Sequence, residues 1–235
     1  MILEERDAEA MALDGEFDIA IPFSFAVCDG EPEVKVFPTL RPEAEEFLRL
    51  FGGDADRLFS PEAIAWAKAH FAPFLERNGY TVCEESNGYF LNYRIEDPDR
   101  GCIQDSTRRI SSVGALENLT GYDFDALESF GHICFATVVD GRVVSAACTN
   151  IPCECECEAD CDETFSVEIG VETAPGYRGK GYGRSNAAAL AAFLTDCGYE
   201  VLYECEADNA SSAAVIEAVG GRLFARNYCI VGRMD

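Results

Sequence analysis

Six consecutive residues, Arg178, Gly179, Lys180, Gly181, Tyr182 and Gly183, carry the chemistry read most directly from this sequence, and Arg184 follows them. Alternating glycines let a backbone come close to a ligand. Arg178, Lys180 and Arg184, with no acid among them, supply charge for an anion. Upstream, Val167 to Thr173 alternates apolar and polar residues before a Pro175, Gly176 break; downstream, Ser185 to Leu194 is rich in alanine. The spacing predicts a strand, a tight turn and a helix start. The first turn of a helix has unpaired N–H groups and the positive end of the dipole, so this layout suits phosphate. A basic island is also conspicuous in a chain of formal charge −25.

Two rival phosphate motifs fit poorly. A dinucleotide site wants G-x-G-x-x-G and an acid at the end of the next strand. Here the third glycine, Gly183, comes too early and Asp196 sits at a helix end. A P-loop needs Gly-Lys-Ser/Thr to close the turn, and none follows.

Other reactive groups cluster near this turn in sequence. Glu168 and Glu172 fall on one face of the predicted strand, and either carboxylate is a candidate general base. Glu200 to Cys205 reads as a further strand, and Asp208 and Asn209 open a helix through Val215, Ile216 and Val219 that Gly220 and Gly221 end. Tyr203, Tyr228 and Cys205 are acid candidates by proximity alone. Cys153, Cys155, Cys157 and Cys161 form a tight cysteine cluster that could hold zinc or an iron–sulfur cluster. They lack the paired C-x2-C spacing and are interleaved with acids, so we read a divergent acidic loop and expect no metal.

The elements needed to position these groups extend along the chain. Phe17 to Cys28 and Val34 to Phe37 flank Asp29 and Gly30 as a hairpin. Arg41 and Pro42 open one helix closed by Gly52 and Gly53, and Ser60 caps a second, with Pro61 at its first position and Pro73 kinking or dividing it. Tyr80 to Glu85 and Gly88 to Ile95 alternate as a second hairpin, and Asp97 to Gly101 reads as a linker. Thr107 to Ile110 is a short strand, Leu116 to Phe130 holds one or two short helices, and Ile133 to Cys148 folds back at Asp140 and Gly141. Arg222 to Arg226 and Tyr228 to Gly232 suggest a final hairpin. His70, beside Phe71, reads as half-buried on its helix. The expected class is α/β (α+β), with an N-terminal α+β extension over 1–104 and a mixed-sheet domain over 105–235.

Bulk properties narrow the partners. The charge of −25 argues against nucleic acid and anionic membranes and favours cationic small molecules or basic peptides. No apolar run approaches a membrane span, and the acidic start is no signal peptide. With twelve cysteines but no export signal, most thiols are expected reduced and the protein cytoplasmic. A homodimer is left open.

The order β-hairpin, strand, helix, strand, helix, strands resembles the GNAT superfamily of acyl-CoA-dependent N-acyltransferases. Arg178 to Gly183 is similar to its R/Q-x-x-G-x-G/A signature. Tyr203 to Ser211 followed by Gly220 resembles the second shared segment, in a form similar to acetyltransferases of amine-bearing antibiotics. The resemblance covers residues 105 to 235. It implies a mixed sheet flanked by helices and acetyl-CoA as acyl donor. Backbone groups of Val171 and Thr173 would pair with the pantetheine arm, and the turn from Arg178 to Arg184 would bind the pyrophosphate. Asn209 and Ser211 would lie near the thioester. The implied activity is transfer of an acetyl group to a primary amine by direct attack in a ternary complex. The family's usual acid, a tyrosine seven residues after the Asn, is Ile216 here. That departure keeps open a non-catalytic CoA-binding or sensing module; a cysteine-loop metal or redox protein is the third reading.

Overall fold

The computed structural model describes residues 2–5, 19–83, 88–110, 133–149 and 165–234. They belong to two compact units, Met1–Leu91 with Phe224–Asp235, and Asn92–Leu223. The expected helices between Leu116 and Phe130 and the cysteine loop holding Cys153, Cys155, Cys157 and Cys161 lie outside the described residues.

In the first unit, β1 (Ile2–Glu5) runs parallel to β3 (Glu31–Val36), and β3 is antiparallel to β2 (Ile19–Cys28). Phe23 pairs with Val36 and Phe25 with Val34, which puts four apolar side chains on one face. Helices α1 (Arg41–Phe51), α2 (Ala55–Leu58) and α3 (Pro61–Arg77) supply Phe47, Leu58, Phe71 and Leu75 to the same core. Phe23 stacks on Phe71 with ring centroids 3.8 Å apart. Ser60 caps α3 as expected, its Oγ accepting from the Ala63 N–H at 3.2 Å. The helix then runs unbroken through Pro73, because Phe71 and Leu75 on either side are fully buried in the core. His70 is exposed, stacked on Trp66 one turn earlier.

Two expected hairpins are corrected. The segment after Tyr80 forms only a short β4 (Thr81–Val82), which pairs with the last strand instead of with β5 (Tyr89–Ile95). That last strand, β11 (Arg222–Arg233), is continuous, with no turn between Arg226 and Tyr228. Its residues from Ala225 to Ile230 pair one by one with β2, which brings Tyr228 opposite Phe25 and Ile230 opposite Phe23. Burying both side chains against that core outweighs the weak local turn signal.

The second unit holds a mixed sheet in the order β5, β10 (Glu200–Glu206), β9 (Ser166–Thr173), β8 (Arg142–Thr149), β7 (Cys134–Val139), β6 (Thr107–Ile110). Neighbours from β6 to β9 are antiparallel, and β9 and β10 are parallel. The β7–β8 hairpin turns at Asp140 and Gly141 with φ of 51° and 75°, as the Asp-Gly signal predicts. Helix α4 (Tyr182–Asp196) packs on β7, β8 and β9, and α5 (Ala210–Ala218) follows β10. Residues Ser185 to Ala192 of α4 are buried on every side, which its alanine content permits. The expected linker at Asp97 to Gly101 is instead a packed turn within this unit. The Asp99 N–H donates to the Val219 carbonyl at 2.7 Å, and its side chain accepts from the Gly101 N–H.

Candidate functional site

The parallel pairing of β9 and β10 runs from Ser166↔Glu200 to Glu168↔Leu202 and stops there, although β9 continues to Thr173 and β10 to Glu206. Beyond that point the two strands are no longer paired with each other. A cleft of about 670 Å³ is lined by the end of β9, the glycine turn and one side of α5 from Asn209 to Ala218. Of the expected site residues, it brings together Val171, Glu172, Thr173, Arg178, Gly179, Gly181, Tyr182, Gly183, Arg184, Asn209 and Ser211.

The turn has the geometry an anion requires. Gly181 stands at the N-cap of α4 with φ of 81°, a left-handed conformation that side chains resist, and no side chain caps the helix. The first bond of the helix is Ser185 N–H to the Gly181 carbonyl, at 2.9 Å. Earlier N–H groups therefore precede the helical ladder, at the positive end of a helix fifteen residues long. A Cβ on Gly183 would stand 2.9 Å from Thr173 Oγ1, so any larger residue there forces helix or strand to shift. Lys180 Nζ lies 4.7 Å above the Tyr177 ring, and Arg178 Nε donates to the Thr173 carbonyl at 3.1 Å. One of the backbone groups expected for the donor's arm thus already holds an arginine in place.

Beneath the turn is a polar cluster that the sequence did not single out. Gln104 Nε2 donates to the Lys180 carbonyl at 3.1 Å, and the Gln104 N–H to Ser185 Oγ at 2.7 Å. Thr107 and Thr137 both donate to Asn186 Oδ1, at 3.0 and 3.1 Å. Ser145 Oγ donates to the Glu172 carbonyl at 2.9 Å and is 2.8 Å from Thr173 Oγ1. Thr137, Ser145, Ser185 and Asn186 are fully buried. Buried polar groups that bond one another specify one arrangement, and here that arrangement fixes the turn and the end of β9.

Across the cleft, Asn209 caps α5: its Oδ1 accepts from the Ser212 N–H at 3.1 Å and from Ser211 Oγ at 2.9 Å. The cap leaves the amide nitrogen as the end available for other partners. Ile216 is fully buried, so α5 presents no hydroxyl where the tyrosine was looked for.

The catalytic candidates divide between the two faces of the sheet. Glu168 pairs with Leu202, so Glu168 and Glu172 share a face with Glu204, while Tyr203 and Cys205 point to the α5 side. Glu204 is exposed as a residue, yet protein atoms crowd its carboxyl. That crowding, then the charge of Glu168, push its pKa up against a lowering hydrogen bond from Asn92. Tyr203 is 4% exposed and does not line the cleft; its hydroxyl bonds Ser212, which does. Burial pushes the phenol up, and likewise the Cys205 thiol. Tyr228 is fully buried in the first unit among Phe25 and its neighbours, and burial raises it too. Among the described residues no group of three or more His, Cys, Asp or Glu is placed to hold a metal ion, and no helix is long and apolar enough to cross a membrane.

Comparison with known proteins follows the second unit. The sequence profile of the Acetyltransferase (GNAT) family matches residues 92–220. No curated protein matches the chain in sequence. Among solved structures, it is similar to a GNAT-family protein from Novosphingobium aromaticivorans at 19% identity, covering 67% of this chain and 69% of that one, with a TM-score of 0.47. A GCN5-related N-acetyltransferase-like protein from Streptococcus suis gives 18% identity, 68% of each chain and a TM-score of 0.42. An aminoglycoside N-acetyltransferase in complex with CoA gives 19% identity, 50% of this chain and 92% of that one, with a TM-score of 0.37. Over more than half of its length, on a mixed sheet with the glycine turn between β9 and α4, this chain belongs to the acetyltransferase (GNAT) family.

Proposed function

We propose that the protein transfers an acetyl group from acetyl-CoA to a primary amine of a small cationic molecule or a basic peptide, by direct attack within a ternary complex. The observation that carries this is the single cleft lined by the glycine turn, α5 and Glu172, beside the point where the pairing of β9 and β10 ends. The donor's pyrophosphate fits the N–H groups of Gly179 to Gly183, with Arg178, Lys180 and Arg184 as counter-charges. Tyr182 lies in the first turn of α4 beside them. Backbone groups of Val171 and Thr173 face the arm, and Asn209 and Ser211 its far end. When bound, acetyl-CoA supplies an activated thioester; the chain's own residues orient it and manage protons.

An amine attacks only when neutral, so a carboxylate that accepts its proton near the cleft speeds the step. Glu172, which lines the cleft, and Glu168, at the last paired position of β9, are the two proposed bases. The Glu168, Glu172 and Glu204 face also favours a cationic acceptor over an anionic one. A cytoplasmic location belongs to the same proposal, because most of the chain's twelve cysteines are expected to be reduced thiols.

Calorimetry with acetyl-CoA and thiol release with polyamines, aminoglycosides and basic peptides test the proposal. Saturable binding with turnover on at least one amine is expected. Binding without turnover across the panel favours the second reading, a CoA-sensing module, which rests on the buried Ile216 in place of a hydroxyl.

A further inference from the structure

We propose that the Ser212 hydroxyl donates to the sulfur that leaves the acyl donor, and that Tyr203 acts behind it as a positioning residue. This rests on the acetyl-transfer reading above. Three observations converge on Ser212. It lines the cleft, and its hydroxyl bonds the Tyr203 hydroxyl. Its backbone is held by the Asn209 cap at 3.1 Å. It also lies in the first turn of a nine-residue helix, where the dipole favours a developing anion.

Either hydroxyl of the pair can donate to the other, and the proposal takes the arrangement in which the tyrosine donates. Tyr203 is buried on the α5 side of β10, and burial pushes its phenol up, so it keeps its proton. A phenol that donates to Ser212 Oγ leaves the serine's own proton free to turn into the cleft, and polarises it. Cys205, within hydrogen-bonding reach of the same serine, is pushed up by burial as well. It stays a thiol, a poor acceptor for that proton. Ile216, one turn further along α5, offers no competing group.

The step balances without a further reagent. As the amine nitrogen bonds the acyl carbon, the carbon–sulfur bond breaks and its electron pair passes to sulfur. Nitrogen gives its proton to the carboxylate of Glu172 or Glu168, and sulfur receives one from solvent, with Ser212 holding the charge at sulfur through its hydrogen bond until that proton arrives. A charge-assisted bond of this kind is about twice as strong as a neutral one.

The test needs no acceptor amine. Coenzyme A bound to the protein is titrated by its ultraviolet thiolate absorbance, with protein bound to desulfo-coenzyme A as the blank for the protein's own thiols and phenols. The bound thiol is expected to ionise about one pH unit lower in the wild type and Ser212→Thr than in Ser212→Ala. Tyr203→Phe falls between them, and desulfo-coenzyme A binds all four alike. Identical titrations for wild type and Ser212→Ala overturn the proposal. Should Ser212→Ala not fold, Tyr203→Phe decides: an upward shift supports the proposal and no shift overturns it. Failure of the wild type to bind coenzyme A overturns the acetyl-transfer reading itself.

Discussion

The side-chain amide of Gln104 donates to the backbone carbonyl of Lys180 at 3.1 Å, so a residue far upstream holds the apex of the glycine turn. The Gln104 N–H also reaches Ser185 Oγ in the first turn of α4. The Gln104→Ala substitution removes the first bond and keeps the second. Acetyl-CoA affinity is expected to fall about fivefold, the worth of one hydrogen bond of ~1 kcal/mol, with little change in melting temperature. Calorimetry beside thermal unfolding separates the two effects.

Gly183 of α4 sits close against Val171 and Thr173 of β9. An alanine in the first turn of a helix would ordinarily add about 1 kcal/mol of helix propensity. Here its Cβ meets Thr173 Oγ1 at 2.9 Å, and overpacking costs about 1–3 kcal/mol. The Gly183→Ala protein is therefore expected to be no more stable than the wild type in urea unfolding. It should also bind acetyl-CoA about tenfold more weakly, because the shift falls on the cleft wall.

Asn186 is the hub of the buried polar cluster, accepting from Thr107 and Thr137. Asn186→Ala leaves the buried Thr137 hydroxyl short of its acceptor, which costs about 1–3 kcal/mol, while the half-buried Thr107 hydroxyl keeps Ser185 as a partner. The expected loss is ~2 kcal/mol or more in denaturant unfolding. Asn186→Asp introduces a buried charge and is expected to lose more.

Local signals were legible wherever spacing alone decides the backbone. The Asp140, Gly141 turn, the Ser60 cap and the strand–turn–helix around Gly181 all lie where the residues predict. Pairing was less legible. Val82 and Tyr89 alternate well enough for a hairpin, yet β4 joins β11 and Tyr228 goes to the aromatic core, and those preferences belong to residues more than a hundred positions apart. Separations of 28 to 81 positions likewise hid the cluster beneath the turn. Thr107, Thr137, Ser145 and Asn186 are ordinary residues on four separate elements and Gln104 lies just before β6, and only the folded sheet makes them neighbours of Lys180 and Thr173. Ser212 looked like one small residue among several in α5, and the Tyr203 hydroxyl is what distinguishes it.

The carboxyl of Glu204 is raised by crowding and by the charge of Glu168, which gives a pH signature. A group whose folded pKa lies above its unfolded value contributes most below the unfolded pKa, and that contribution is lost as pH rises through the folded one. At neutral pH the charged Glu204 is therefore a small liability, no more than ~1 kcal/mol given its exposure. Glu204→Gln is expected to raise the unfolding midpoint at pH 7 and to lose that advantage once the pH drops below the ordinary carboxylate range, near 4. Unfolding curves of both proteins across that window check the sign.

The account depends most on the glycine turn being a phosphate site for acetyl-CoA. Isothermal calorimetry of the wild type beside an Arg178→Ala, Lys180→Ala double substitution tests this directly. Saturable binding in the wild type, weakened at least tenfold in the variant and increasingly so at low salt, is the predicted result. Absence of binding in the wild type, or equal binding by both proteins, would contradict it.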